Sequence, residues 1–129
     1  TRTLENPSPE RIESEILNGN VVLAPVAGKM LFNPHFQNLG PRYHMVLIKG
    51  FDEETEEFIT NDPGTRFGDG WRYGYKTLMS AIHDYVPENA DIVTGRKAVL
   101  IVEKFRLGLE FHSLFAIFDY FESFFGRIN

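Results

Sequence analysis

The chain contains no cysteine in its 129 residues. This excludes a disulfide framework, a thiolate metal site and a thiol nucleophile within the sequence. It also lacks a run of about 18 apolar residues of the kind that crosses a membrane. Acidic residues outnumber basic ones, and the net charge is −5. Because phosphate binding needs a basic surface, this charge argues against nucleic acid as a partner.

The composition is that of one globular domain with its own core. Hydrophobic residues make up 43% of the chain and charged residues 24%, which is typical of folded domains of this length. The first residue is Thr1 rather than Met, so we expect the chain to be a piece of a longer product.

Local patterns predict an α+β fold, with a mainly antiparallel sheet and flanking helices. Ser8 and Pro9 suit the N-cap and first turn of a helix whose apolar stripe is Ile12, Ile16 and Leu17. Apolar runs predict strands at 21–26, 43–50, 57–62 and 97–105, and a helical pattern covers 76–85. The segment DPGTRFGDGWRYGY, at 62–75, is a loop that holds one short edge strand. Residues 27–42 form a long loop, and such loops are often functional.

The hairpin between residues 43 and 62 brings one histidine towards one aspartate. With the turn centred on Glu53, cross-strand pairing places His44 opposite Asp62. A slip by one residue would place Asn61 there instead. Either side chain could orient an imidazole. From spacing alone, however, a histidine facing an aspartate in a hairpin is more often a local structural hydrogen bond.

The C-terminal stretch differs in composition from the rest, and we divide the chain into a domain at 1–104 and a tail at 105–129. Phenylalanines recur in the tail mostly at spacings of three and four, which predicts an amphipathic helix. They are Phe111, Phe115, Phe118, Phe121, Phe124 and Phe125. Exposing this face would create a large apolar patch, so we expect the tail to form a homo-oligomer or to pack on another segment. Its polar side lacks the basic residues of a membrane-surface helix.

Metal and cofactor sites have little support in the sequence. His35, His44, Asp62 and His83 carry zinc-binding groups, but no pair has the i, i+4 spacing of a helical zinc motif. The loop DPGTRFGDG lacks the alternating acidic positions of a calcium site. We therefore predict no metal and no cofactor.

Four segments occur in the order found in one peptidase family. They are IESEILNGNVVLAPV, YHMVLIKGFD, FITNDPGT and YGYKTLMSAI. Together they resemble the C-terminal half of the bacteriocin-processing (double-glycine) peptidases, which are family thirty-nine of the papain-fold cysteine peptidases. The resemblance covers roughly residues 10–104 and implies the sheet-bearing half of a papain-like fold.

The resemblance also implies roles for individual residues. His44 would be the general base that takes the proton from a catalytic thiol, and Asp62 would orient its imidazole. Asn61, Trp71 and Tyr43 are the candidate substrate-binding residues for a peptide.

The nucleophilic cysteine of the family, and a glutamine that helps to bind the oxyanion, lie on a preceding segment. We therefore expect an upstream, cysteine-bearing segment as a partner. This chain alone should be inactive, because a thiolate–imidazolium pair cannot form without sulfur.

Two alternatives stay open. In the first, the chain is the His/Asp half of a peptidase that hydrolyses peptide bonds when complete. In the second, it is a non-catalytic peptide-binding or oligomerisation module on the same scaffold. Ser8 could in principle replace the thiol, but its N-cap position explains it better.

Overall fold

The computed structural model describes residues 1–103, which build one antiparallel sheet with two helices. The strands are β1 (Arg2–Glu5), β2 (Val21–Val26), β3 (His44–Asp52), β4 (Glu57–Asn61), β5 (Asp69–Gly74) and β6 (Ala98–Val102). The helices are α1 (Pro9–Leu17) and α2 (Tyr75–Ala81), and short 3-10 turns lie at Gly28–Leu31, Gln37–Leu39 and Ile92–Thr94. In space the strands follow the order β1-β6-β2-β3-β4-β5. The predicted α+β class with an antiparallel sheet is confirmed.

Most predicted elements are present, with differences at their ends. The structure adds β1, which was not predicted, and the edge strand β5 lies inside the predicted loop. Helix α2 ends at Ala81, before the predicted end at 85, because Ile82 has extended backbone angles and bridges to Val26 of β2. The predicted phenylalanine-rich helix and the boundary at 104/105 lie outside the described residues. Neither α1 nor α2 has the length and apolarity that a membrane crossing requires.

Helix α1 forms where its capping residues predict it. The Ser8 Oγ accepts a hydrogen bond from the backbone N–H of Arg11 at 3.2 Å. The predicted apolar stripe is partly wrong, because Leu17 is 75% exposed while Ile12 is fully buried. Glu15 takes a buried position instead, where its carboxylate accepts a hydrogen bond from Arg2 of β1 at 2.5 Å. This ion pair ties the helix to the sheet.

The two faces of the sheet carry separate apolar clusters. The face that packs against α1 and α2 holds the main core, whose buried residues include Val22, Val46, Ile48, Phe58, Leu78 and Ile101. The opposite face carries a smaller buried group: Val21, Leu23, Met45, Leu47 and Val102. Because side chains alternate along a strand, His44 shares the helix-packed face with Val46.

The register of the β3–β4 hairpin differs from the predicted one. Ile48 pairs with Thr60 rather than with Phe58, and a bulge between Ile48 and Gly50 adds a further shift towards the turn. The predicted register is therefore wrong by two residues near the site. On the side of the bulge that carries the site, this even shift keeps each side chain on its predicted face, whereas between the bulge and the turn the shift is odd and does not. Asp62 consequently stays on the face that carries His44.

Candidate active site

The first residue of β3 and the residue that follows β4 meet at one end of the sheet. The Nε2 atom of His44 lies 2.6 Å from Oδ1 of Asp62. Each residue is only 2% exposed. An ionised carboxylate can only accept hydrogen bonds, so the Nε2 proton of the imidazole is donated to Asp62. The other ring nitrogen, Nδ1, then carries the lone pair in the neutral ring.

Two further donors hold the Asp62 carboxylate in place. The Tyr73 hydroxyl donates to Oδ2 at 2.5 Å, and the backbone N–H of Gly64 donates to Oδ1 at 2.8 Å. Burial alone would raise the pKa of the Asp62 carboxyl. The hydrogen bond and charge of His44, followed by the bonds from Tyr73 and Gly64, outweigh burial and lower that pKa below its usual value. The site thus keeps Asp62 ionised beside the imidazole.

Two consecutive hydrogen bonds from the long loop hold Tyr73 in turn. Its hydroxyl accepts a hydrogen bond from the Asn33 amide at 2.8 Å, and the Asn33 oxygen accepts from the backbone N–H of His35 at 2.9 Å. Burial, and then the charge of Asp62, raises the pKa of Tyr73, which therefore stays a neutral donor. The loop at 27–42 is in this way connected to the carboxylate.

Close backbone contacts around Asp62 depend on two glycines. The N–H of Asp62 donates to the carbonyl of Gly68 at 2.9 Å, and a Cβ on Gly68 would lie 1.6 Å from the Asp62 carbonyl oxygen. A Cβ on Gly64 would lie 2.7 Å from a ring carbon of Phe36 and 3.1 Å from His44. At Gly68 the clash is with backbone, so only glycine fits there, whereas a side chain at Gly64 would require the Phe36 ring to move.

An open cleft of about 880 Å³ lies in front of His44, between the loop at 29–42 and the loop at 64–67. The Phe36 ring forms one wall and meets the imidazole edge-on, with ring centroids 5.6 Å apart. His44 contributes to the lining of this cleft although its side chain is only 1% exposed.

The predicted substrate-binding residues occupy three different places. Trp71 is half-buried behind His35, which lines the cleft, with ring centroids 5.1 Å apart. Asn61 is buried, and its side-chain oxygen accepts from the Gly70 N–H at 3.3 Å. Tyr43 is buried against Tyr85 and lines a small cavity away from His44. Their roles in binding stay predictions.

The other candidate residues also separate in space. Ser8 lies at a second cavity, beside α1. The Nδ1 atom of His83 lies 3.1 Å from the carbonyl oxygen of Gly95, apart from His44. Within residues 1–103, no three histidine, aspartate or glutamate side chains are grouped as a metal site would require.

Sequence reasoning missed Tyr73 and Asn33 as members of the site. The available signal was the strand pattern at 69–74, in which alternate residues share a face. It could place Tyr73 on a face, but not against Asp62.

A comparison with known proteins identifies the domain. The sequence profile of the Peptidase_C39-like family matches residues 5–87, a stretch that includes both His44 and Asp62. The chain belongs to this family. No curated protein and no solved structure matches it. The Peptidase_C39-like chain is therefore a cysteine peptidase-like domain, and both the predicted family and the papain-like α+β class are confirmed.

Proposed function

We propose that this chain supplies the general base and the orienting carboxylate of a peptidase that cleaves peptide bonds through a thiol. The observation that carries the proposal is the buried contact of 2.6 Å between His44 and Asp62. A carboxylate that is further held by Tyr73 and Gly64 would fix the imidazole in one orientation and one tautomer.

The proposed reaction uses Nδ1 of His44 as the base. It accepts the thiol proton, and Asp62 stabilises the imidazolium that forms. The thiolate attacks the carbonyl carbon of the peptide bond, and the imidazolium then gives its proton to the leaving amine. Water, deprotonated by the same imidazole, hydrolyses the resulting thioester and restores the thiol.

The thiol must come from outside this sequence, because the chain has no cysteine. We propose that an upstream segment of the full product carries it and lies beside the cleft in front of His44. The chain of 129 residues alone would then bind a peptide without hydrolysing it. Its activity would appear only when the cysteine-bearing segment is present.

The test uses the full gene product, whose intact mass and cysteine content are determined first. The rate of thiol alkylation by iodoacetamide is then measured against pH for the wild type, for His44→Ala and for the control His83→Ala. We expect rapid alkylation below pH 7 in the wild type and in His83→Ala, and a loss of about tenfold or more in His44→Ala, because the thiolate needs an imidazolium partner. A product without cysteine, or a rate that does not depend on His44, refutes the proposal.

A second candidate function is a non-catalytic peptide-binding or oligomerisation module on the same scaffold. The absence of cysteine from the chain favours it. The two functions differ in what the full product does to a bound peptide. Peptide binding without any cleavage by the complete product, observed by mass spectrometry, would favour the module.

A further inference from the structure

The cleft in front of His44 collects cationic side chains. Lys29, Arg42 and Arg66 all line it, and no aspartate or glutamate among the described residues 1–103 contributes to its lining. The chain as a whole carries a net charge of −5. The cleft therefore has the opposite sign of charge from the protein that contains it.

These three cations also differ from others in how they are paired. Arg2, Lys49, Arg72 and Arg96 each lie within ion-pair distance of at least one carboxylate. Across residues 1–103, no such carboxylate partner stands beside the three cations of the cleft. Their charge is thus available to a ligand.

Local contacts orient two of the three cations without neutralising them. The Arg42 guanidinium donates to the backbone carbonyl of Val86 at 3.2 Å and to those of Pro87 and Ala90 at 2.8 Å each, which leaves two of its five N–H groups for a ligand. The guanidinium carbon of Arg66 lies 4.9 Å from the centroid of the Phe67 ring, a cation–π contact that leaves the positive charge intact. Lys29 is exposed.

The rest of the lining suits an extended peptide. Phe36, Pro41 and Phe67 offer apolar surface for side chains, and Gln37 and Thr65 offer hydrogen-bonding groups for a backbone. A volume of about 880 Å³ lies within the range of about 300–1,000 Å³ that ligand sites occupy. Guanidinium and ammonium groups at such a site are natural partners for carboxylates.

We propose that this cleft selects acidic peptides, whose glutamate or aspartate side chains pair with Lys29, Arg42 and Arg66. The inference rests on the proposed function only in taking a peptide as the ligand, and it adds the charge that the ligand carries. Selection of this kind would place acidic residues close to the bond that faces His44.

A second cavity of the same chain provides a matched control. Near α1, Lys76 lines a concave surface with four glutamates: Glu10, Glu13, Glu53 and Glu56. Replacement of Lys76 removes one positive charge from the protein, but not from the cleft. Any effect of overall charge would therefore appear in this variant too.

The experiment measures binding of two fluorescein-labelled peptides to the chain by fluorescence anisotropy. In one peptide, glutamate alternates with leucine and glycine, and in the other every glutamate is replaced by glutamine. At about 50 mM NaCl we expect the acidic peptide to bind about tenfold more tightly, and at about 300 mM the ratio should fall because salt screens exposed pairs. The double variant Lys29→Gln/Arg66→Gln should reduce the ratio to about twofold, whereas Lys76→Gln should leave it unchanged.

The outcomes separate this inference from the proposed function. Equal affinities for the two peptides overturn it, even when thiol alkylation of the full product depends on His44. Lys76→Gln removes one positive charge and the double variant removes two, so a loss of preference in Lys76→Gln that reaches half of the loss in the double variant also overturns it. Tighter binding of a single-stranded oligonucleotide of matched charge overturns it as well. A preference that survives His44→Ala and disappears in the double variant supports it, whether or not the full product has a reactive thiol.

Discussion

The imidazole of His44 and the carboxylate of Asp62 meet at 2.6 Å although the strand ladder does not place them opposite one another. Leu47 pairs with Asn61, and continuing that register sets His44 against Gly64. The contact is therefore diagonal, which adjacent strands permit for long side chains. Gly64 leaves the space through which the imidazole reaches the carboxylate, since a Cβ there would lie 3.1 Å from His44.

The first prediction concerns the charge of Asp62. In Asp62→Asn, a neutral amide faces the hydrogen-bond donors of His44, Tyr73 and Gly64. The NH₂ group of the amide is also a donor, so it lies against at least one of these donors and cannot bond to it. We expect a loss of about 1–3 kcal/mol in the free energy of unfolding at pH 7, measured by urea denaturation.

The control for this variant is Asp69→Asn. The Asp69 side chain is 87% exposed and pairs with Lys49 at 3.0 Å, so its loss should cost less than about 1 kcal/mol. Equal effects of the two substitutions would show that the buried carboxylate is not held as described.

The second prediction concerns the hydroxyl of Tyr73. Tyr73→Phe leaves both Oδ2 of Asp62 and the Asn33 amide without their shared partner. We expect the free energy of unfolding to fall by about 1–3 kcal/mol, because each of these buried polar groups is then left without a hydrogen bond. The half-exposed Tyr85 gives the comparison, and Tyr85→Phe should stay within about 0.5 kcal/mol of the wild type in the same denaturation assay. A neutral effect of Tyr73→Phe would contradict the hydrogen-bond chain.

Elements defined by local signals could be predicted from the sequence. The Ser8 cap and the apolar run at 21–26 are local, and α1 and β2 begin where those signals lie. Strand β1 could not be predicted in this way. It contains a single apolar residue, Leu4, and forms by pairing with β6 near the other end of the described chain.

The site was predictable only in part, because some of its contacts join residues that are far apart in the sequence. The shared face of His44 and Asp62 follows from strand alternation, which survives a register error of two residues. The error arises at the turn, where Asp52 pairs with Glu57 instead of the turn centring on Glu53, and neither this turn nor the bulge after Ile48 has a marker in the sequence. Asn33 joins Tyr73 across 40 positions of sequence, and no local pattern predicts a contact of that kind.

The third prediction concerns the backbone beside Asp62. In Gly68→Ala the new Cβ would lie 1.6 Å from the Asp62 carbonyl oxygen, so one of the two backbones must move. We expect the bond from the Asp62 N–H to the Gly68 carbonyl to break, and the ring resonances of His44 to shift in NMR spectra. Gly74→Ala is the control, since the new Cβ would lie 3.9 Å from the Thr77 hydroxyl, which is ordinary van der Waals contact. His44 resonances that stay unchanged in Gly68→Ala would contradict this packing.

The last prediction is the pH dependence of stability. Contacts with His44, Tyr73 and Gly64 lower the pKa of Asp62 in the folded state, despite its burial, whereas the unfolded value is about 3.9. Above about pH 5 the carboxylate is ionised in both states, and its full contribution to stability is present. As the pH falls, the unfolded chain takes up the proton first, so stability decreases until the folded pKa is passed. The difference in unfolding free energy between the wild type and Asp62→Asn should therefore narrow from pH 5 to pH 2 in a urea series. A gap that stays constant over this range would mean that folding does not lower the pKa of Asp62.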